Sequence, residues 1–171
     1  MNHFESCLLI FTGRILFINN LNGRIMTQLN PYLSFKGICE EAFNFYKSVF
    51  GSEFLIVSRF MDMPENPDYP VFESDKEKIM HISLPISNET VLFGCDTSHS
   101  FEKSSVTGNN ISLSIDTDTI DEATRIFNGL SAGGVVTMPL NKTFWDAYFG
   151  MFTDKYGINW MVNYDFYKSK S

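Results

Sequence analysis

Along residues 30–35 (NPYLSF) and again along 110–115 (NISLSI), apolar and polar side chains alternate. A period of two is the signature of a strand with one buried face and one open face. A helical pattern follows each strand. In the first, Ala42, Phe45, Tyr46, Val49 and Phe50 recur at helical spacing before Gly51, which supplies a stop. In the second, Ile120, Ala123, Phe127 and Leu130 form the apolar stripe, which ends before Gly133 and Gly134. Thr119 and Glu122 have the spacing of a capping box, in which each side chain satisfies a free amide of the first turn. Glu40 and Glu41, like Asp121 and Glu122, lie near a helix start, where the helix dipole favours acidic groups.

Three strand-like runs follow each helix: 53–60, 78–86 and 90–95 in the first half, 135–138, 147–153 and 158–163 in the second. The chain therefore reads as one α+β plan, βαβββ, written twice. The modules span 28–96 and 109–165, with 96–109 as a polar connector. Residues 61–77, with Pro64, Pro67 and Pro70, are too long for a plain turn and read as a lid, a binding rim or open surface. A helix covers one face of each sheet. The other faces carry Tyr32, Ser34, His81, Ser83, Asn110, Ser112, Asn159, Met161 and Asn163. Two curved mixed sheets around a cleft between the modules is the architecture expected, with room for a small ligand. Simple solvent contact is the plainer account of the same polar faces.

Composition narrows the partners. A chain of 171 residues with 44% apolar and 19% charged side chains builds a core rather than a disordered tail. Seventeen Phe exceed ordinary use and suit both core and an apolar pocket. The net charge of −7 repels phosphate backbones and anionic lipid, so nucleic acid and membrane surfaces are poor partners. Cys7, Cys39 and Cys95 are odd in number and widely spaced, which suggests neither a disulfide framework nor a zinc knuckle and suits a reducing cytoplasm. Cys39 and Cys95 read as small buried hydrophobes. Residues 1–25 contain the run LLIFTGRILFI, too short for a membrane span and interrupted by Arg14. They read as an extension before a domain at 26–171, either dispensable or adding a strand at an edge or interface.

Several ordered blocks carry a resemblance. PYLSFKGICEEAFNFYKSVFG, MHISLPI, GGVVTMPLNKTFW and GMFTDKYGINWMVNY are similar to the PhnB-like branch of the vicinal-oxygen-chelate superfamily, over about residues 28–165. That superfamily includes glyoxalases, bleomycin-resistance proteins and extradiol dioxygenases. The resemblance implies a glyoxalase/bleomycin-resistance-like fold and a homodimer. Some members of this branch carry a label as ubiquinone-pathway methyltransferases, yet no Gly-rich strand–helix turn for a nucleoside cofactor is visible in this chain. Metal enzymes of the superfamily place a His, Glu or Gln on each of four strands. Carried onto this chain, those positions fall at Asn30 (or Pro31), Phe93 (or Gly94), Asn110 and Met161. Amides are feeble ligands, Phe, Pro and Gly offer none, and a thioether is soft and neutral. The expectation is therefore no metal at these positions and no cofactor.

The remaining candidates are ligand contacts. His81 faces the same side as Ser83 and is the candidate for acid–base work or ligand anchoring; a hydrogen-bonded cavity histidine is the plainer account. Tyr32, Trp145 and Tyr148 offer rings for a planar ligand, beside Ser34, Asn110 and Ser112. Met161 is either the adaptable floor of a cleft or ordinary packing. No sequence motif joins a nucleophile to a base, and Cys95 has no His beside it in the chain. The function expected is metal-independent small-molecule binding, of sequestration or resistance type. The alternatives are a metal-dependent lyase, isomerase or dioxygenase, and a structural or regulatory homodimer.

Overall fold

The structure, a computed structural model, describes residues 28–67 and 70–167. Its elements follow the duplicated plan. The first module holds β1 (Tyr32–Phe35), α1 (Cys39–Phe50), β2 (Ile56–Arg59), β3 (Ile79–Pro85) and β4 (Val91–Asp96). The second holds β5 (Leu113–Asp116), α2 (Ile120–Ser131), β6 (Val135–Lys142), β7 (Ala147–Thr153) and β8 (Asn159–Asp165). Each sheet has the same order, β1-β4-β3-β2 and β5-β8-β7-β6. In each, the first strand pairs parallel with the last and the other pairs are antiparallel. The helix between the first two strands makes that parallel closure possible.

Both helices form for the reasons their sequences give, with one substitution of partner at each. Helix α2 is capped by Thr119, whose side chain accepts the Glu122 N–H at 3.1 Å. Its buried face is Ala123, Ile126, Phe127 and Leu130, so Ile126 takes the place expected for Ile120, which is exposed. Helix α1 has no side-chain cap from Ile38. Instead, buried Asp96 at the end of β4 accepts the Cys39 N–H at 3.0 Å, and its second oxygen accepts Ile79 N–H at 3.0 Å. One carboxylate thus fixes the helix start against two strands. At the other end Gly51 takes φ 71°, a left-handed turn open to glycine, and donates to the Lys47 carbonyl.

One hydrophobic core runs through both modules, from Phe43, Tyr46, Ile82 and Leu92 to Phe127, Leu130, Phe152 and Trp160. The modules meet through their helices. A Cβ at Gly129 of α2 would lie 2.9 Å from a Val49 methyl of α1, so glycine permits the close approach. The Arg125 guanidinium donates to the Val49 carbonyl across the same contact. The turn between β7 and β8 completes the joint. Asp154 accepts Tyr156 and Ile158 N–H groups with one oxygen, and Tyr46 O–H (2.7 Å) and Trp160 Nε1–H (2.9 Å) with the other. Tyr156 then donates to Glu41 at 3.0 Å.

The segment 61–77 is pinned at its second half. Asp75, buried in a short 3-10 turn, accepts His99 N–H from the connector at 2.7 Å and pairs with Lys78 at 2.8 Å. His99 lays its ring against Phe72, with centroids 5.2 Å apart. The readings made for Cys7 and residues 1–25 lie outside the described residues. No helix among the described residues is long and apolar enough to cross a membrane.

Candidate functional site

Strand parity decides which side chains share a face. In the first sheet Phe35, Ile82, Leu84 and Leu92 enter the core under α1. Gly94 belongs to that side as well, because a Cβ there would strike the Phe43 ring. The alternate positions therefore form the open face: Tyr32 and Ser34 on β1, Phe93 and Cys95 on β4, His81 and Ser83 on β3.

Three rings on this face make a group. His81 lies 5.4 Å from Phe93 and 5.9 Å from Tyr32, and Tyr32 lies 6.3 Å from Phe93, all measured between centroids. The Tyr32 hydroxyl stands 3.4 Å from His81 Nδ1. His81 is only 6% exposed although it belongs to the open face. Burial, which disfavours imidazolium, pulls its pKa below the ordinary histidine value. The ring is thus held neutral at pH 7, with one nitrogen to donate and one to accept. Ser34 lies beside Cys95, with Oγ and Sγ 3.8 Å apart. Ser83 is fully buried, and its hydroxyl has no hydrogen-bond partner among the described residues.

The second module places its residues differently. Met161 on β8 pairs with Ser114 of β5 and Met151 of β7 on the open face of that sheet. Tyr148 packs against the core, on the face opposite Met161. Trp145 sits in the β6–β7 hairpin, half-exposed, with its ring 4.6 Å from Phe144 and 6.1 Å from Phe149. Asn110 is exposed and Ser112 half-buried in the approach to β5. Tyr32, Ser34, His81 and Phe93 thus gather on the first sheet, while Tyr148 and Met161 belong to strands of the second and Trp145 to the hairpin between two of them. A shallow cleft of about 300 Å³ does cross the module boundary, where Tyr32 and Leu33 meet Ile111, Leu113, Ile158 and Asn159. Sequence reasoning passed over Phe93 and Cys95 as members of the site; the alternation in VLFGCD places both opposite Gly94 and could have revealed them.

The positions at which the superfamily holds its metal do not suit one here. Asn30 spends its side-chain oxygen on the Val91 N–H at 3.0 Å. Phe93 is part of the ring group, Asn110 is exposed, and Met161 offers only a neutral thioether. No group of three or more His, Cys, Asp or Glu among the described residues is disposed to hold an ion. The donor set does not fit.

The family model described as 3-demethylubiquinone-9 3-methyltransferase matches residues 27–163. The chain belongs to that family. It is a PhnB-like member of the vicinal-oxygen-chelate superfamily, with the glyoxalase/bleomycin-resistance-like fold. A structure of protein PA1353 from Pseudomonas aeruginosa is 40% identical, covers 82% of this chain and 98% of its own, and superposes with a TM-score of 0.69. A putative 3-demethylubiquinone-9 3-methyltransferase, PhnB protein, from Bacillus cereus is 27% identical over 81% of this chain and 99% of its own, with a TM-score of 0.61. Protein YjdN of Escherichia coli (strain K12) is 29% identical over 79% of this chain and 93% of its own length. Glyoxalase/bleomycin-resistance/dioxygenase structures from Burkholderia phytofirmans PsJN and Frankia, at 15% and 10% identity with TM-scores of 0.54 and 0.55, share the fold alone.

Proposed function

We propose that this PhnB-like protein binds a small planar organic molecule on the Tyr32–His81–Phe93 face of its first sheet, without a metal ion, and does so as a cytoplasmic homodimer. The observation that carries the reading is the ring group itself. Three aromatic side chains with centroids 5.4–6.3 Å apart offer stacking and edge contacts to a flat guest. Around them lie a neutral imidazole, the Ser34 hydroxyl and the Tyr32 hydroxyl, which supply direction to an otherwise apolar contact. Tyr32 belongs to this face and to the cleft at the module boundary, so a ligand could extend from one to the other.

A structural homodimer is the second reading, favoured by one observation: Phe144 is 95% exposed beside half-exposed Trp145 at a hairpin tip. Large apolar groups in such a position suit a partner surface. The two readings separate in a thermal-shift screen of planar compounds, neutral and cationic, run with chelator and again with divalent metals. Binding predicts stabilisation by a subset of compounds that chelator does not abolish. Dimerisation by light scattering with no stabilising compound favours the structural reading, and stabilisation that requires a metal contradicts the proposal.

A further inference from the structure

We propose that Met138, Met151 and Met161 form a binding site for one soft monovalent cation of the Cu(I) class, on the open face of the second sheet. The site is independent of the ligand face on the first sheet. The register sets Met138 of β6 opposite Met151 of β7, and Met151 opposite Met161 of β8. Three thioethers thus form one row across three adjacent antiparallel strands, each of them half-buried. Side chains directly opposite on one face of an antiparallel pair have Cβ atoms ~4.5–5.5 Å apart. A methionine side chain is unbranched and flexible, so Met138 and Met161 can lean from either flank towards an ion seated over Met151.

The backbone of β6 is shaped to put Met138 in this row. Val136, Met138 and Leu140 alternate in the chain, and a regular strand would turn all three to one side. Val136 stands opposite core Phe152, and Leu140 packs against the core. Register shifts on both sides of Met138 break the alternation and bring it out opposite Met151. Such bulges are concentrated where a strand re-aims a side chain beside a functional site.

The chemistry of the donors names the ion. A thioether is soft and neutral, which makes it a poor ligand for zinc or nickel and a good one for Cu(I). Three neutral ligands leave the single positive charge in place, and the face suits it. Its strand residues include Asp116, in the neighbouring row opposite Asn163, and Asp165 further along β8, and none of them is basic. Phe149 lies one row from Met151 on the same face, with the Trp145 ring 6.1 Å from its own. Aromatic faces attract a cation and hold water away from it.

The test is Cu(I) competition with the chromogenic chelator bicinchoninate, run without oxygen on the full chain at pH 7.5 and pH 5.5. A thioether has no proton to lose, so the affinity is expected to differ by less than about threefold between the two, whereas thiolate and imidazole sites weaken as pH falls. Met151→Leu, a volume-conserving change that should keep the fold, is expected to weaken binding about a hundredfold, and Met138→Leu or Met161→Leu about tenfold. Met61→Leu, at an exposed position outside the row, should bind as wild type does. Ag(I), a redox-inert stand-in, added to protein with 13C-methyl methionine should shift three of the eight methyl signals together, and the leucine variants assign them. Absence of one-equivalent Cu(I) binding at pH 5.5 overturns the proposal, and that result needs no variant to fold. Binding that is present at pH 7.5 and lost at pH 5.5 assigns the ion to cysteine or histidine and overturns it equally. Undiminished affinity in folded Met151→Leu, or an Ag(I) shift confined to one methionine, does the same.

Discussion

Tyr46 of α1 donates its hydroxyl proton to Asp154 of the β7–β8 turn at 2.7 Å, across the joint between the modules. Burial, and then the Asp154 carboxylate, push the Tyr46 pKa far above the ordinary phenol value, so the group remains a donor at any working pH. The same carboxylate oxygen takes the Trp160 indole N–H, and the other closes the turn. A single buried acid therefore holds a hairpin, a helix and the core tryptophan together. Its four hydrogen bonds compensate the charge that burial would otherwise penalise.

Removing the phenol hydroxyl leaves Asp154 with three donors. Tyr46→Phe is expected to lower unfolding stability by about 2 kcal/mol, and Asp154→Ala, which strands the indole and two amides, by about 4 kcal/mol. Urea denaturation followed by tryptophan fluorescence checks both. Equal small losses would show that the joint depends on apolar packing alone.

Gly94 lies where β4 runs closest to α1, and an added methyl there meets the buried Phe43 ring. Gly94→Ala is expected to destabilise by about 1–3 kcal/mol through overpacking, with the fold retained by circular dichroism. Phe43→Leu in the same chain should recover part of the loss by making room. Absence of recovery would place the cost elsewhere.

Burial lowers the His81 pKa in the folded protein. Below about pH 6.5 the unfolded chain takes up a proton that the folded chain resists, so the unfolded state binds more protons and stability falls as pH falls. The urea midpoint of wild type should drop between pH 7 and pH 5.5, and His81→Gln should show a shallower slope over the same window. Identical slopes would mean that His81 charges freely in the fold.

Much of this architecture was legible in the sequence, and the limits have physical causes. Strand β7 was read at its observed bounds, 147–153, because turn residues flank an unbroken extended run. Strand β6 extends to Lys142 rather than ending near Met138, since register shifts and Pro139 break the alternation that marks a strand. The side taken by Tyr148 was not readable: AYFGMFT is apolar at nearly every position, and the close approach of Gly150 to Phe127 sets which side turns inward. The neighbours of His81 were hidden for another reason. Register between strands is a non-local property, and periodicity within β3 says nothing of which β4 residue stands opposite.

The sequence reading also joined candidates from both modules in one cleft. Tyr32, Ser34 and His81 share the first sheet and Trp145 and Met161 belong to the second, and the cleft at the module boundary is lined by Tyr32 but by neither Trp145 nor Met161. The reason is that the two sheets share a core through α1, α2 and Asp154, which local patterns cannot position. Trp145→Ala is accordingly expected to leave ligand affinity within about twofold of wild type, measured by isothermal titration with the strongest binder of the screen. A loss of tenfold or more would bring the hairpin into the site.

The most direct test of the account is a titration of that same compound into chelator-treated protein, comparing wild type with Tyr32→Ala and His81→Ala by calorimetry. Removing one stacked ring is expected to cost about 1–2 kcal/mol, so the account predicts metal-free binding by wild type and affinities about tenfold weaker in each variant. Binding that appears only when a divalent metal is restored, or that both variants retain in full, would contradict it.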